Sequence, residues 1–540
     1  MSKKSTGKTR EKSNSNRNQA EHLTARMKTN LNGRTITERI GILYVVCMLL
    51  VFPLFFHDYF FDITKTKYLF FAVVTLVGFS LAALSLLVQD DMLSQLRVLK
   101  PSGAADYWML AWVAVSIVSC IASVDRAASV SGADARWQGL LAVFLYALAY
   151  YIMSRCVEIE KIFCYIFLAP GCLNALLGVL NHFGVDPLGF YERMKEAQIP
   201  KFMGTIGNIN MFAGYMCLVF AGVFVLFLFE KKRSKQILWG VLLLATLGHL
   251  AGNSDLSYAG LGVTVLVLFA VSWKKKTSMP RLFYGGAVVF AGYCLFYILQ
   301  DKFAANAVSM EGISKELLAH GGLLPVGAAV CVAVGVLYRL ILARRERENS
   351  DSDQKKCAAD ICFHVLSVCI LLLAAVFLIV ASRMEEIAAF FTFNDTWGDY
   401  RGFVWTRLWQ LFCDFSPVRM LIGSGPGTVK TLLNDYCYDE MKELTGVVYD
   451  AAHNEYLQYL VTTGIAGLVT YAGFLGSVFL RGFRALGRAL SEEKKICLMF
   501  GLAIVAAYAG QAAFSLAQPI TTPFLFVFLG WIEKAGKEET

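Results

Sequence analysis

The stretch from 382 to 455 carries the residue types suited to chemistry on an anionic substrate. Arg401 and Arg407 offer guanidinium forks that bind phosphate bidentately without losing their charge. Gly423-Ser424-Gly425-Pro426-Gly427 forms a turn whose backbone N–H groups can approach an anion closely, with Gly423, Gly425 and Gly427 as supporting positions. It lacks the Lys-Ser/Thr that would follow in a nucleotide-binding phosphate loop. His453, with Asn454 beside it, stands at a predicted helix start, and imidazole is the side chain best suited to proton transfer near neutral pH. Two earlier pieces join them: Arg136, at the outer start of an apolar run, and Asn208 with Asn210, which open another and serve either the site or a helix cap. Arg136 and Arg407 serve equally as anchors of helix ends at the headgroups. Such residue types can contact an anion and move a proton, each signal being weak when it stands alone.

Elements able to hold these residues must be membrane helices. The chain has 540 residues, 56% hydrophobic and only 17% charged, with a mean hydropathy of +0.53, a composition outside the soluble range. Fourteen apolar runs bounded by charge follow one another from 40–56 to 520–532. Each span needs about 20 apolar residues; the first and fourth runs are marginal and the last is short enough to be re-entrant, so the reading is about 12–14 transmembrane helices. Continuous apolar runs exclude a barrel, whose strands alternate. The fold class is an all-α integral membrane protein with one long extracytoplasmic loop.

Lys and Arg counts orient it. With the N-terminus inside, 34 of the 50 basic residues fall on that side and 15 outside, the positive-inside pattern. The net charge of +9 is therefore a membrane signal. No basic and aromatic interleaved patch points to nucleic acid. The organisation expected is a disordered basic cytoplasmic tail over 1–39, a bundle of about 11 helices over 40–381, the motif-bearing outer loop over 382–455, further spans over 456–532 and a cytoplasmic tail over 533–540. Within the outer loop, the apolar spacing from Tyr400 to Phe412 suits an amphipathic helix on the membrane surface or across the bundle mouth.

Other chemistry-bearing residues yield less. The 14 cysteines make no metal or disulfide framework; only Cys413 and Cys437 share an outer loop, as a pair or as two thiols. Asp351-Ser352-Asp353 matches a cation-holding pattern but sits in a cytoplasmic loop rich in charge, and reads as solvated linker. No metal and no cofactor is predicted. His182 and His320 lie on outer loops, where they are placed to line an entrance, and His249 and His364 lie in or near spans.

In order along the chain, Arg136-Trp137-Gln138-Gly139-Leu140, Gly204-Thr205-Ile206-Gly207-Asn208-Ile209-Asn210, Arg401 with Trp405, the glycine turn, and His453-Asn454-x-x-Leu457 followed by Gly464-Ile465-Ala466-Gly467-Leu468 resemble the O-antigen ligase and polymerase superfamily of polytopic envelope glycosyltransferases. Asn253-Ser254-Asp255-Leu256-Ser257-Tyr258 departs from it, standing where such proteins often carry a Ser-Arg-Gly-like motif. The resemblance implies metal-independent, inverting transfer of a glycan from an undecaprenyl pyrophosphate-linked donor to an acceptor hydroxyl at the outer face of the membrane. It also implies His453 as base, Arg401 as catalytic cation, and Arg136, Arg401 and Arg407 on the pyrophosphate. A polysaccharide polymerase or a protein O-oligosaccharyltransferase shares the arrangement. A lipid-linked oligosaccharide flippase is the alternative of another class, though no internal repeat supports it.

Overall fold

The computed structural model describes residues 34–87, 100–133, 136–231, 236–347, 353–381, 383, 392–488 and 490–537. Asp351 and Ser352, and with them the Asp-x-Asp pattern, lie outside the described residues, as do residues 1–33. The first helix, α1 (Ile36–Leu54), starts within the segment expected to be a disordered tail. The reason is a reciprocal cap: the Thr35 hydroxyl accepts the Glu38 N–H at 3.2 Å and the Glu38 carboxylate accepts the Thr35 N–H at 3.0 Å. Ahead of Pro53 the helix loosens into a wider turn at Cys47–Val51, and the fully buried Lys67 caps its freed end, donating to the Phe52 and Pro53 carbonyls at 2.6 and 2.7 Å.

Then follow α2 (Ile63–Leu87), α3 (Ala104–Ile121), the short α4 (Arg126–Ser131), α5 (Leu140–Cys156), α6 (Ile162–His182), α7 (Ile209–Phe229), α8 (Ile237–Ala251), α9 (Leu256–Lys274), α10 (Met279–Lys302), the short α11 (Gly312–Ala319), α12 (Leu324–Arg347) and α13 (Asp353–Ala381). The outer loop contributes α14 (Trp397–Cys413), α15 (Pro417–Ile422) and α16 (Val429–Thr445), and the chain closes with α17 (Glu455–Ala485), α18 (Glu492–Ala512) and α19 (Thr522–Ala535). The strands found among the described residues are two-residue pieces, β1 (Phe202–Met203) and β2 (Gly207–Asn208), paired antiparallel.

This is an all-α polytopic membrane protein. Eleven helices among the described residues are long and apolar enough to cross a bilayer, while α5 and α8 are shorter apolar helices. The last helix has 14 residues; at about 1.5 Å per residue it falls short of the roughly 30 Å of hydrocarbon. It is instead buried on nearly every face, from Thr522 to Glu533. Around it, α7 is buried continuously from Phe212 to Phe229 and α18 from Ile496 to Tyr508, which makes these helices the centre of the bundle. By contrast, α12 and α13 turn Val326, Val330, Leu340, Leu371, Leu372 and Leu373 outward, as peripheral helices facing lipid do.

The outer loop builds a small domain with its own core. Phe403, Val404, Leu408 and Phe412 on α14 pack with Leu432, Leu433 and Met441 on α16, so the amphipathic helix expected over 400–412 buries its apolar face within the loop domain. Cys413 is exposed and Cys437 buried, both as free thiols.

Candidate active site

Arg401 is placed by its own helix. On α14 it lies one turn before Trp405, whose indole Nε1 donates to the Ala452 carbonyl at 2.8 Å. The same helical face therefore brings Arg401 toward the residue that follows Ala452, which is His453. A second tie closes the corner: the Tyr449 hydroxyl donates to the Asp399 carbonyl at 2.8 Å. Burial lowers the guanidinium's pKa, and Asp255, Asp399 and Tyr449 oppose that effect. Among the described residues, Arg401 makes no hydrogen bond and no close ion pair. It is a half-buried fork whose donors meet no protein acceptor, which leaves them free to meet an anion.

His453 has a left-handed backbone, φ 49°, and its ring meets the Tyr449 ring edge to face at 6.0 Å. Asn454 caps α17, its side-chain oxygen accepting the Leu457 N–H at 3.0 Å. This explains the spacing of the His-Asn-x-x-Leu piece: the cap fixes the helix start and the histidine hangs from it. Burial, then Arg401, then Arg136 lower the imidazole pKa from 6.5 to about 3, with Asp450 acting the other way. His453 is therefore neutral at any physiological pH and has a lone pair to offer.

The three arginines differ. Arg136 grips Asp450 bidentately, Nε to Oδ2 at 3.0 Å and Nη2 to Oδ1 at 2.6 Å. It stays electrostatically coupled to His453. Arg407 pairs with Glu440, lies 3.9 Å from Asp395 and stacks over the Phe403 ring at 4.8 Å. Its bonds are those of a brace between α14 and α16.

The glycine turn departs furthest from the open anion nest expected of it. Gly423, Gly425 and Gly427 all have positive φ, but three of the turn's four amides are engaged: Gly423 N–H donates to the Arg419 carbonyl at 2.7 Å, Ser424 N–H to Val461 at 3.2 Å and Gly425 N–H to Thr462 at 2.8 Å. Those last two carbonyls are released because α17 breaks at Gly464, φ 71° and ψ −174°, and a buried carbonyl needs a donor. Ser119 and Ser424 hydroxyls supply two more, at 2.7 and 2.9 Å. The turn is a clamp on the kinked helix. Beneath it lies a cavity of about 20 Å³, room for one water, bordered by Gln138, Gly427, Glu455 and Gln458.

Asn208 caps α7, accepting the Asn210 N–H at 3.0 Å, and Asn210 accepts the Ser254 hydroxyl at 2.6 Å. That bond ties α7 to the segment departing from the family pattern. There Asn253 and Asp255 hold the connection before α11, accepting the Glu311 N–H at 3.0 Å and the Ile313 N–H at 2.7 Å. Asp255 is the acid facing Arg401. The sequence reading missed Asp255 and Asp450 as partners of the arginines; their only signal was an acid standing close to a helix start at the outer end. The remaining histidines bond elsewhere. His182, expected at an entrance, is buried against Gln300 at 2.8 Å, and His364 accepts from Trp273 at 3.0 Å.

Backbone strain marks the same place. Among the described residues, six non-glycine positions have positive φ: Tyr59, Trp137, Asn253, Asp399, Tyr400 and His453. All but Tyr59 lie within two residues of Arg136, Asp255 or Arg401, or are His453 itself. Such conformations persist where surrounding contacts impose them, and they gather at functional sites.

A family model described as O-antigen ligase matches residues 324–472. The match covers 149 of the 540 residues, so it is this region of the chain that is similar to the O-antigen ligase family. The O-antigen ligase match runs from α12 into α17, so it contains Arg401, the glycine clamp and His453, while Arg136 and Asp255 come from outside it. No curated protein matches the chain. Members of this superfamily are glycosyltransferase-like enzymes acting on lipid-linked glycans.

Proposed function

We propose that the protein transfers a glycan from an undecaprenyl pyrophosphate-linked donor to an acceptor hydroxyl at the outer face of the cytoplasmic membrane, with both termini of the chain inside. The observation that carries this reading is the unengaged, half-buried Arg401 fork beside a neutral His453. The acceptor O–H proton passes to the imidazole, the oxygen attacks C1, and the C1–O bond to phosphate breaks, leaving its electron pair on the pyrophosphate. Arg401, with Arg136 as second cation, meets that charge, and such preorganised donors supply a large part of catalysis. In-line attack inverts the anomeric centre, and fixed guanidinium groups do what a divalent cation does elsewhere.

The electrostatics add a coupling. Burial first, then Arg401 and Arg136, hold His453 below its ordinary pKa; a pyrophosphate beside Arg401 offsets the arginines' part of that shift and raises the imidazole pKa, so donor binding makes the base stronger. Purified protein given an undecaprenyl pyrophosphate glycan and a panel of lipid, glycan and protein acceptors tests the reading. A new glycosidic bond, unaffected by EDTA, supports it and identifies the acceptor. Movement of the donor across a vesicle membrane with no new bond refutes it in favour of a flippase.

A further inference from the structure

At the end of the bundle away from Arg401, a cavity of about 380 Å³ opens between α9, α17 and α18. The separation follows from α9, whose start adjoins Asp255 and whose 19 residues carry Lys274 roughly 27 Å away at about 1.5 Å per residue. Four of the nine lining residues are basic, Lys274, Lys275, Arg484 and Lys495, and none is acidic. The cations are not equivalent. Lys275 and Lys495 share Glu492 at 3.2 and 3.9 Å. Lys274 and Arg484 are exposed and have no acidic partner within ion-pair distance among the described residues; Lys274 instead lies over the Phe483 ring at 4.3 Å. The remaining wall is apolar, with Phe483 and Met499 on it.

We infer that this cavity binds one anionic glycerophospholipid, its phosphodiester held by Lys274 and Arg484 and its acyl chains along Phe483 and Met499. Solvated positive charge alone needs neither an enclosed volume nor an apolar wall. A soluble phosphate needs the cations but not the wall. Both features together fit a headgroup with its chains, the pattern of basic pockets between membrane helices.

Native mass spectrometry of the full chain released from nanodiscs of phosphatidylcholine with a minority of phosphatidylglycerol reads the occupancy. One phosphatidylglycerol retained in preference to phosphatidylcholine is expected, and equal retention of both overturns the proposal without any variant. Lys274→Gln with Arg484→Gln is expected to lower the retention ratio on the order of tenfold. Lys100→Gln, an exposed change outside the cavity, is expected to leave it unaltered; an equal loss there would reduce the effect to general surface charge. Millimolar inorganic phosphate or glycerol phosphate is expected not to displace the lipid, and full displacement would assign the cavity to soluble anions.

Discussion

Arg136 holds the Asp450 carboxylate with two donors, Nε at 3.0 Å and Nη2 at 2.6 Å, and both side chains keep about a quarter of their surface open. An anion entering beside Arg401 therefore competes with Asp450 for Arg136. Asp450→Asn removes a negative charge from the anion's neighbourhood and is expected to lower KM for the lipid-linked donor about threefold or more. It also removes the group that raises the His453 pKa, so kcat is expected to fall. Arg136→Gln should raise KM. Steady-state kinetics of the two variants checks the split, and an Asp450→Asn enzyme with a higher KM would show that the pair only orders the loop.

Arg401 and Arg407 share a helix and a residue type but not an environment. The former is half-buried with its donors unengaged, whereas the latter pairs with Glu440. Replacing Arg401 by Lys exchanges a fork for a point charge; with charged hydrogen bonds contributing about 1.5–3 kcal/mol, a loss in kcat/KM on the order of 30-fold is expected. The Arg407→Lys change is expected to stay within about threefold, since half-exposed ion pairs contribute little. Comparable losses in the two variants would remove the distinction.

Base catalysis by His453 has a pH signature. In the donor-free protein its pKa is lowered from 6.5 to about 3, so kcat/KM, which reports the free enzyme, should show no acid limb near 6.5 from this residue. The kcat profile, reporting the donor-bound state, should show its acid limb at higher pH. Linkage has the same sign: between these values the unfolded chain binds the proton and the folded chain does not, so the contribution to stability is full above about 6.5 and lost as pH falls toward 3. His453→Ala is expected to lower transfer by about 10² to 10⁴ with donor binding retained. Unchanged transfer in that variant removes the base assignment.

The parts of this protein legible in its sequence are those governed by one-dimensional signals. Fourteen apolar runs become fourteen helices because hydrocarbon admits little else, and Arg401, Trp405 and His453 stand out because residue type and helical spacing carry their meaning. The glycine turn was misleading for a physical reason. Positive φ at Gly423, Gly425 and Gly427 is required equally by an anion nest and by a clamp, and only the break at Gly464, 37 residues beyond the turn's last glycine, decides which carbonyls its amides meet. Asp450 and Asp255 were invisible for a related reason: an acid's partner across 314 residues, as with Arg136, leaves no mark in spacing.

The clamp makes a stability prediction separate from catalysis. A Cβ at Gly425 would run into the Ser123 and Ser129 hydroxyls, and one at Gly423 into the Thr462 carbonyl, each with a positive φ besides. Gly446 also has positive φ, 70°, but nothing lies within 4 Å of a Cβ there. Gly425→Ala is therefore expected to cost about 3 kcal/mol or more from combined strain and overpacking, while Gly446→Ala costs about 1 kcal/mol. Thermal unfolding in detergent checks this. Equal shifts would mean that the turn is not held between α17 and the α3–α4 corner.

Orientation is tested by thiol chemistry. Cys413 ends α14 and is exposed, in the loop domain that carries Arg401; Cys357 lies on α13 near its first turn, one span earlier in the chain. If the N-terminus is inside, an odd number of crossings separates that inner turn from the outer loop. A variant keeping only Cys413 should react with a membrane-impermeant maleimide in intact cells, and one keeping only Cys357 should react after permeabilisation alone. The reverse pattern would turn Arg401 and His453 toward the cytoplasm, where soluble nucleotide sugars become candidate donors, and the pyrophosphate reading of the unengaged Arg401 fork would have to be replaced.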